Sequence, residues 1–361
     1  MEFLILIIPL ACSVFLFVKE KGWISLLPFG GCLLVVGIMS LVMRNCNFMD
    51  TEYRSYYYTK IRHEDPWNER VRHTREVKVG EDKHGNPIYE TEVYYTTEYH
   101  DDAYYKFSNE ESKTHISESE FYELKNLWNT SMRFVDMHRN YYTIDGDAQE
   151  YDFCGHWDHM RGYTEECTYE NRVAGSNSIL NLREVSDKEA EELGLFKYST
   201  ATVYGKCTDE ARKRFEYLNY NYGKLKQIHI KVLIFPPEQS VAIVEDQRAY
   251  WKGGNKNEFV ICIGSGWADC FSWQDNKELD VRCRNYIIQK KPDLVQLSYW
   301  VEENLGLWKR KEFKDFSYIG TYLTGTQNLI ILCIVLVLSC ILTFVAYEQV
   351  CFGQDRTFKK W

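Results

Sequence analysis

The segment "DMHRNYYTIDGDAQEYDFCGHWDHM" gathers metal-binding side chains within two dozen residues. Asp136, His138, Asp145, Asp147, His156, Asp158 and His159 supply carboxylate oxygens and imidazole nitrogens, donors that suit zinc, manganese or calcium. A divalent metal is therefore the one cofactor this chemistry points to, and the competing reading is a solvated hairpin with surface acids and histidines. Asp145-x-Asp147-x-Gln149 starts like a calcium-binding EF-hand loop, but Glu150 stands where glycine is required and no glutamate occupies the twelfth position.

A second stretch, "AYWKGGNKNEFVICIGSGWADCFSW", opens a polar loop before a short apolar strand. Lys252, Gly253, Gly254, Asn255, Lys256 and Asn257 form that loop. Glycines permit positive φ and close backbone approach, and asparagines favour tight turns. The loop reads either as an anion-binding nest flanked by two lysines or as a structural turn. The chain has no G-x-S-x-G and no Walker-type phosphate loop, and no Cys–His nucleophile pair has an identifiable context. Nothing in the motifs demands an enzyme.

The elements that must position these residues lie between apolar runs. Phe3 to Val18, Ile24 to Met43 and Leu329 to Tyr347 are uncharged, and a helical span needs about 20 such residues. The first run is the shortest and would rely on Lys19 and Lys21 reaching outward. It lacks the positive start of a signal peptide, so a retained hairpin of two spans is the reading. The flanks 1–44 and 326–361 each carry three basic and two acidic residues, so the segment between them holds −11 against a total of −9. That balance excludes nucleic acid as a partner and leaves membrane lipids around the spans and another membrane or envelope protein at the body. Lys19, Lys21, Arg356, Lys359 and Lys360 fall on one side and Arg44, Arg54, Lys60, Arg310 and Lys311 on the other. The first group favours an extracytoplasmic body by the positive-inside rule.

Six of the 12 cysteines fall in the body: Cys154, Cys167, Cys207, Cys262, Cys270 and Cys283. None has C-x-x-C spacing, so a zinc ribbon is not expected. Cys154–Cys167 and Cys262–Cys270 could be bridges in an oxidising compartment, or all six could be free thiols.

Residues 50–107 read as strands, with "REVKV" and "IYETEVYYT" flanking the turn-rich "GEDKHGNP". Ser117 with Glu120 and Ser186 with Glu189 are capping signals for two short helices, and Asp145-Gly146 marks a hairpin. From Thr208 the order becomes helix, strand (Ile228 to Phe235), helix (Val241 to Trp251), two strands around Gly264-Ser265-Gly266, and two helices. The first of those helices is expected to end at Gly223.

That order, with "WKGGNKNEFVICIG" before an apolar strand, resembles the TPM domain, a small α/β domain of membrane-tethered proteins of bacteria and chloroplasts. The resemblance covers 208–305 and implies phosphatase-like activity, divalent-cation binding or membrane-protein maintenance, with a setting outside the cytoplasm. Asn257-Glu258 stands where that family places an acidic loop residue. The chain as a whole, through "RFVDMHRNYYTIDGDA", "TYENRV" and "WKRKEFKDF", is similar to a family of membrane-anchored proteins of large tailed-phage and bacterial genomes, which implies topology alone. Cys154-x-His156-x-Asp158-His159 resembles the H-x-H-x-D-H metal motif of metallo-β-lactamase-like hydrolases with Cys at its first position, but no ββ-sandwich pattern surrounds it.

The expected architecture is an α+β membrane protein: two transmembrane helices in 1–44, a β-rich soluble domain in 45–207, a TPM-like α/β module and membrane-proximal segment in 208–325, and a transmembrane helix with a basic tail in 326–361. The expected function is a membrane-anchored binding or structural protein. A TPM-like metal-dependent phosphatase, using the 252–257 loop and the acids of 136–158, is the alternative.

Overall fold

The computed structural model describes residues 5–19, 23–46, 49–138, 147–171, 182–312 and 323–357. It is a mixed α/β protein that divides into two compact units. One contains 1–51, 168–181 and 312–361, and the other 52–167 and 182–311.

The first unit is helical. Helices α1 (Ile7–Lys19) and α2 (Leu27–Cys46) lie near the N-terminus, and a third, Gly325–Thr357, near the C-terminus. Two apolar stretches, Ile24–Arg44 and Gly325–Gln349, are long enough to cross a membrane. At 1.5 Å per residue they reach about 31 and 37 Å, against a hydrocarbon thickness of about 30 Å. The first apolar run of the sequence forms a shorter helix among the described residues. Helix α1 has 13 residues, about 20 Å of rise, and is an apolar helix shorter than a span. Ile5 and Leu6, just before α1, share a core with Cys32 and Val36 of α2 and Ile331 and Val335 of the third helix. Gly31 sits where an added Cβ would lie 2.6 Å from Leu342 Cδ1, so its lack of a side chain lets two helices come close.

The second unit begins with β1 (Met49–Glu64), most of which lies within it. The strands β2 (Trp67–Glu81), β3 (Pro87–His100), β4 (Ala103–Ser108) and β5 (Lys113–Ile116) follow. Helix α3 (Glu118–Trp128) comes next, then β6 (Met132–Val135), β7 (Ala148–Asp152) and β8 (Gly162–Glu170). A six-stranded sheet runs β5-β4-β1-β7-β6, with β8 also paired to β1. Ser117 Oγ accepts the Glu120 N–H at 3.2 Å, the expected cap, and α3 then buries Phe121, Leu124 and Trp128 against Ile61, Tyr104 and Tyr151. The strands β6 and β7 pair antiparallel. The Asp145-Gly146 turn expected between them lies outside the described residues.

Strands β2 and β3 form a separate two-stranded ribbon, paired antiparallel from Trp67↔His100 to Glu81↔Pro87 with a register shift between Lys78 and Gly80. Asp82 sets its turn by accepting the N–H groups of His84 (2.8 Å) and Asn86 (2.9 Å).

The rest of the unit is an α/β layer. It comprises α4 (Asp187–Leu193), β9 (Val203–Tyr204), α5 (Asp209–Lys226), β10 (His229–Ile234), α6 (Ile243–Tyr250), β11 (Glu258–Gly264), β12 (Trp267–Ser272), α7 (Glu278–Lys290) and α8 (Leu294–Asn304). The helix Gly325–Thr357 is α9. The sheet order is β12-β11-β10-β9; β9, β10 and β11 are parallel and β12 is antiparallel to β11. One face packs Ile230, Val232 and Ile261 on Phe215, Leu218, Leu279, Val301 and their neighbours. The other packs Leu233, Val260 and Cys262 on Ile243, Val244 and Trp251, with Leu193 and Phe196 beside them. Residues 187–204 therefore belong to this layer, upstream of the position 208 where the sequence pattern changes.

Helix α5 runs through Gly223 and ends on Gln227, whose φ of 50° closes it. A Cβ at Gly223 would lie 3.3 Å from the Ser55 carbonyl oxygen, a tight approach.

The thiols at Cys154, Cys167, Cys262 and Cys270 are free. For the second pair the register gives the reason. Cys262 stands opposite Asp269 and Cys270 opposite Ile261, so the two thiols point to opposite faces of the sheet.

Candidate functional site

Among the seven expected metal donors, the structure groups His156, Asp158 and His159, with one donor atom of each within 4.8 Å of the others. They sit on the turn from β7 to β8. His156 Nδ1 is hydrogen-bonded to Asp158 Oδ1, and His159 Nε2 lies 3.5 Å from that same oxygen. Cys154 Sγ is 3.4 Å from His159 Nδ1. Although slight burial raises the Asp158 carboxyl, its hydrogen bond to His156 and the two imidazoles hold it below the usual carboxylate range. The turn is braced from behind: the Trp128 indole donates to the His159 carbonyl at 3.1 Å, and Arg161 Nη1 donates to the carbonyls of Asp158 (3.0 Å) and Met160 (2.9 Å).

The other expected donors are placed elsewhere. The His138 ring stacks on Trp67 at 3.7 Å, which stacks in turn on His100 at 4.2 Å, and burial pushes the His138 imidazole down. The Asp147 carbonyl accepts the Asp65 N–H at 2.9 Å. Asp136 follows β6 directly, and Asp145 lies outside the described residues. A second donor group, Glu69, Glu98 and His100, stands at the root of the ribbon and carries no expectation from the sequence.

The loop at 252–257 is largely buried. Lys252, Gly253 and Gly254 take positive φ of 51°, 86° and 73°. The N–H groups of Lys252, Gly253 and Gly254 donate to the carbonyls of Ala249, Arg248 and Trp251, and the Asn255 N–H donates to Glu258 Oε2 at 2.9 Å. Asn257 Nδ2 donates to the Tyr53 carbonyl at 2.6 Å, and the Lys256 ammonium lies 4.4 Å above the Trp273 ring. The nest donors of 252–255 are thus satisfied within the protein, and the loop's visible work is to close over Glu258.

What it closes is a buried polar cluster. The parallel register sets His229 beside Glu258 and Lys231 beside Val260, all on one face of the sheet. Lys231 is 0% exposed and Glu258 1%. The Lys231 ammonium donates to the carbonyls of Ser199 (2.6 Å) and Ala201 (3.1 Å) and to the Tyr204 hydroxyl (3.2 Å), and lies 3.8 Å from Glu258 Oε1. The rings of Tyr53, Tyr198, Tyr204 and Trp251 surround it at 5.0 to 5.7 Å. Tyr198 donates its hydroxyl proton to Glu258. His229 Nδ1 is 3.3 Å from Ser55 Oγ on β1. Burial pushes the Lys231 ammonium down to about 8, drives Glu258 up, and holds His229 well below its ordinary value. The attraction of Lys231 and Glu258 opposes both of their shifts. These exposures leave no face for a substrate, so the cluster ties the β1 sheet to the α/β layer.

A surface cleft of about 200 Å³ lies between α6, β12 and α7, lined by Arg248, Asp269, Lys277, Asp280 and Arg284 among others. Lys277 is 3.4 Å from Asp280, and Ser272 Oγ donates to both Asp280 oxygens at 2.8 and 2.9 Å, so its central charges are paired.

Sequence reasoning missed the Lys231–Glu258 pair. The signal was a lysine inside the apolar "IHIKVLIF" and a glutamate directly before "FVICIG". Comparison with protein-family models, with curated proteins and with solved structures finds no match for this chain.

Proposed function

We propose that this chain is a membrane-anchored binding protein, whose acidic body meets another membrane or envelope protein through the β2–β3 ribbon. The observation that carries this reading is the ribbon itself. An isolated two-stranded ribbon is marginally stable in water, yet this one extends over both strands' full length with Val79, Ile88, Tyr89, Val93, Tyr95 and Tyr99 exposed. Alternation gives it two chemical faces. Arg70, Arg72 and Lys78 share one face with Glu76, Tyr89, Tyr95 and Tyr99, while Glu69, Glu90, Glu92 and Glu98 lie on the other with Arg75, so the first face keeps a net positive charge. A partner presenting acidic groups fits the first face.

Anchoring is supported by the two apolar helices long enough to span. Two spans suffice for an extracytoplasmic body. Lys19 and Lys21 precede α2, and Arg356, Lys359 and Lys360 lie in or beyond the end of α9, so these charges share one side, which the positive-inside rule makes cytoplasmic. The resemblance of 208–305 to the TPM domain agrees with that setting.

The test has two steps. Carbonate-washed membranes should retain the full chain, and an impermeant maleimide should label Cys167 or Cys207 in intact cells after reduction. Crosslinkers placed at Tyr95 should then capture a protein that chains also carrying Arg70→Glu and Arg72→Glu do not. Release of the chain by carbonate, or capture unchanged by those two substitutions, rejects the proposal.

A further inference from the structure

The β7–β8 turn carries a site that anchoring does not use. We propose that His156, Asp158 and His159 form a three-ligand site for a divalent first-row transition metal of the zinc type, with Cys154 orienting His159 from outside the coordination sphere.

Two imidazoles and one carboxylate are donors that zinc and its neighbours accept, and three protein ligands leave a position for water or an anion. The spacing of His159 and Asp158 already fits one ion. With metal–ligand bonds of about 2.0 to 2.2 Å, two donors on a tetrahedral ion lie about 3.3 to 3.5 Å apart, and His159 Nε2 stands 3.5 Å from Asp158 Oδ1. His156 Nδ1 already meets that oxygen through a hydrogen bond, so a cation would replace a proton between them.

Each imidazole can give a metal one nitrogen. In His159 the Nδ1 side faces the Cys154 thiol at 3.4 Å, which leaves Nε2 for the ion. A metal-bound histidine commonly has its other nitrogen fixed by such an outer partner. The backbone is set in advance. Gly155, at φ 81°, turns the chain between Cys154 and His156; the His159 N–H donates to the His156 carbonyl at 3.1 Å; and Trp128 and Arg161 hold the carbonyls behind. The side chains are 63%, 39% and 37% exposed for His156, Asp158 and His159, so the open coordination position faces solvent.

The experiment uses the full chain in detergent, stripped with a chelator, equilibrated with Zn²⁺ and desalted before metal is counted. Wild type should retain one zinc per chain more than His156→Ala or Asp158→Ala. Cys154→Ser should bind about 10- to 100-fold more weakly, the usual effect of losing an outer partner. The turn is exposed, so metal-free variants should unfold at the wild-type temperature. A readout that needs no variant is diethylpyrocarbonate modification of His159, which zinc should slow. A wild-type chain that elutes without zinc, or variants that keep as much as wild type, overturns the site. A thiolate-to-cobalt absorption band in the Co²⁺ form overturns the outer position of Cys154. None of these outcomes depends on whether the chain is membrane-anchored.

Discussion

Lys231 Nζ and Glu258 Oε1 lie 3.8 Å apart inside a cage of four aromatic rings, one strand over from each other in a parallel sheet. The two ends of this pair are not equally dependent on each other. Lys231 also has two carbonyls, a tyrosine hydroxyl and the ring faces, whereas Glu258 has the Tyr198 hydroxyl and the Asn255 N–H. Lys231→Met should therefore cost about 3–5 kcal/mol, the range for stranding a buried charge. Glu258→Gln keeps the Tyr198 contact and should cost about 1–3 kcal/mol. Denaturant unfolding of the full chain in micelles, followed by tryptophan fluorescence, measures both. Equal losses would mean that the cage does nothing for the ammonium.

The same pair sets a pH dependence. Burial lowers the Lys231 value from 10.5 to about 8 in the folded state. Between those values the unfolded chain holds more protons than the folded one, so stability rises with pH through that window and the lysine contribution is flat below it. Tyr204, raised to about 12, acts oppositely only above pH 10. From pH 8 to 10 the wild type should therefore gain stability relative to the Lys231→Met/Glu258→Gln double variant. A constant difference over that range rejects a depressed lysine.

Local chemistry made much of this legible. The turn residues of "GEDKHGNP", the Ser117 and Ser186 caps and the strand around Gly264-Ser265-Gly266 all specify neighbours a few residues away, and those elements are where the sequence puts them. The Lys231–Glu258 pair was not legible because it joins residues 27 apart through a strand register fixed by tertiary packing. Strand β9, with two residues, is too short to leave a pattern. Gly223 reads locally as a stop, but the helix continues through it and closes on Gln227. For the metal donors, proximity in sequence was a guide only within the 156–159 turn, where the chain has no room to separate them.

The loop that opened the question of ligand or turn gives a sharp mutational test. Gly254 has φ of +73°, and an added Cβ would lie 2.9 Å from Glu258 Oε2. Gly254→Ala must bear both the left-handed backbone and a displaced carboxylate, about 1–3 kcal/mol. Gly266 has φ of +81° but open space around the added carbon, so Gly266→Ala should cost only about 1–2 kcal/mol for the backbone. In a Glu258→Ala background the two glycine substitutions should cost the same. If Gly254→Ala stays the more damaging one there, the glycine serves something other than the carboxylate.

The ribbon predicts a difference between the purified chain and the chain in its membrane. Its stability comes from cross-strand contacts such as His73 on Tyr94 at 5.1 Å, Arg70 over Tyr95 at 4.1 Å and Arg75 with Glu92 at 2.8 Å. These pairs contribute roughly 0.2–1 kcal/mol each, and the exposed faces of β3 bury almost no apolar area of their own. Local opening should therefore be cheap, and trypsin should cut first at Arg70, Arg72, Arg75, Lys78 or Lys83, leaving the α/β layer intact. A partner seated on the Arg70–Tyr95 face would add burial and suppress that opening. Cutting at those five residues should accordingly be at least tenfold slower in native membranes than in detergent, while cutting at exposed sites such as Lys188 changes little. Equal slowing at every site would show general shielding rather than a partner on the ribbon, and unchanged rates would leave the ribbon without one.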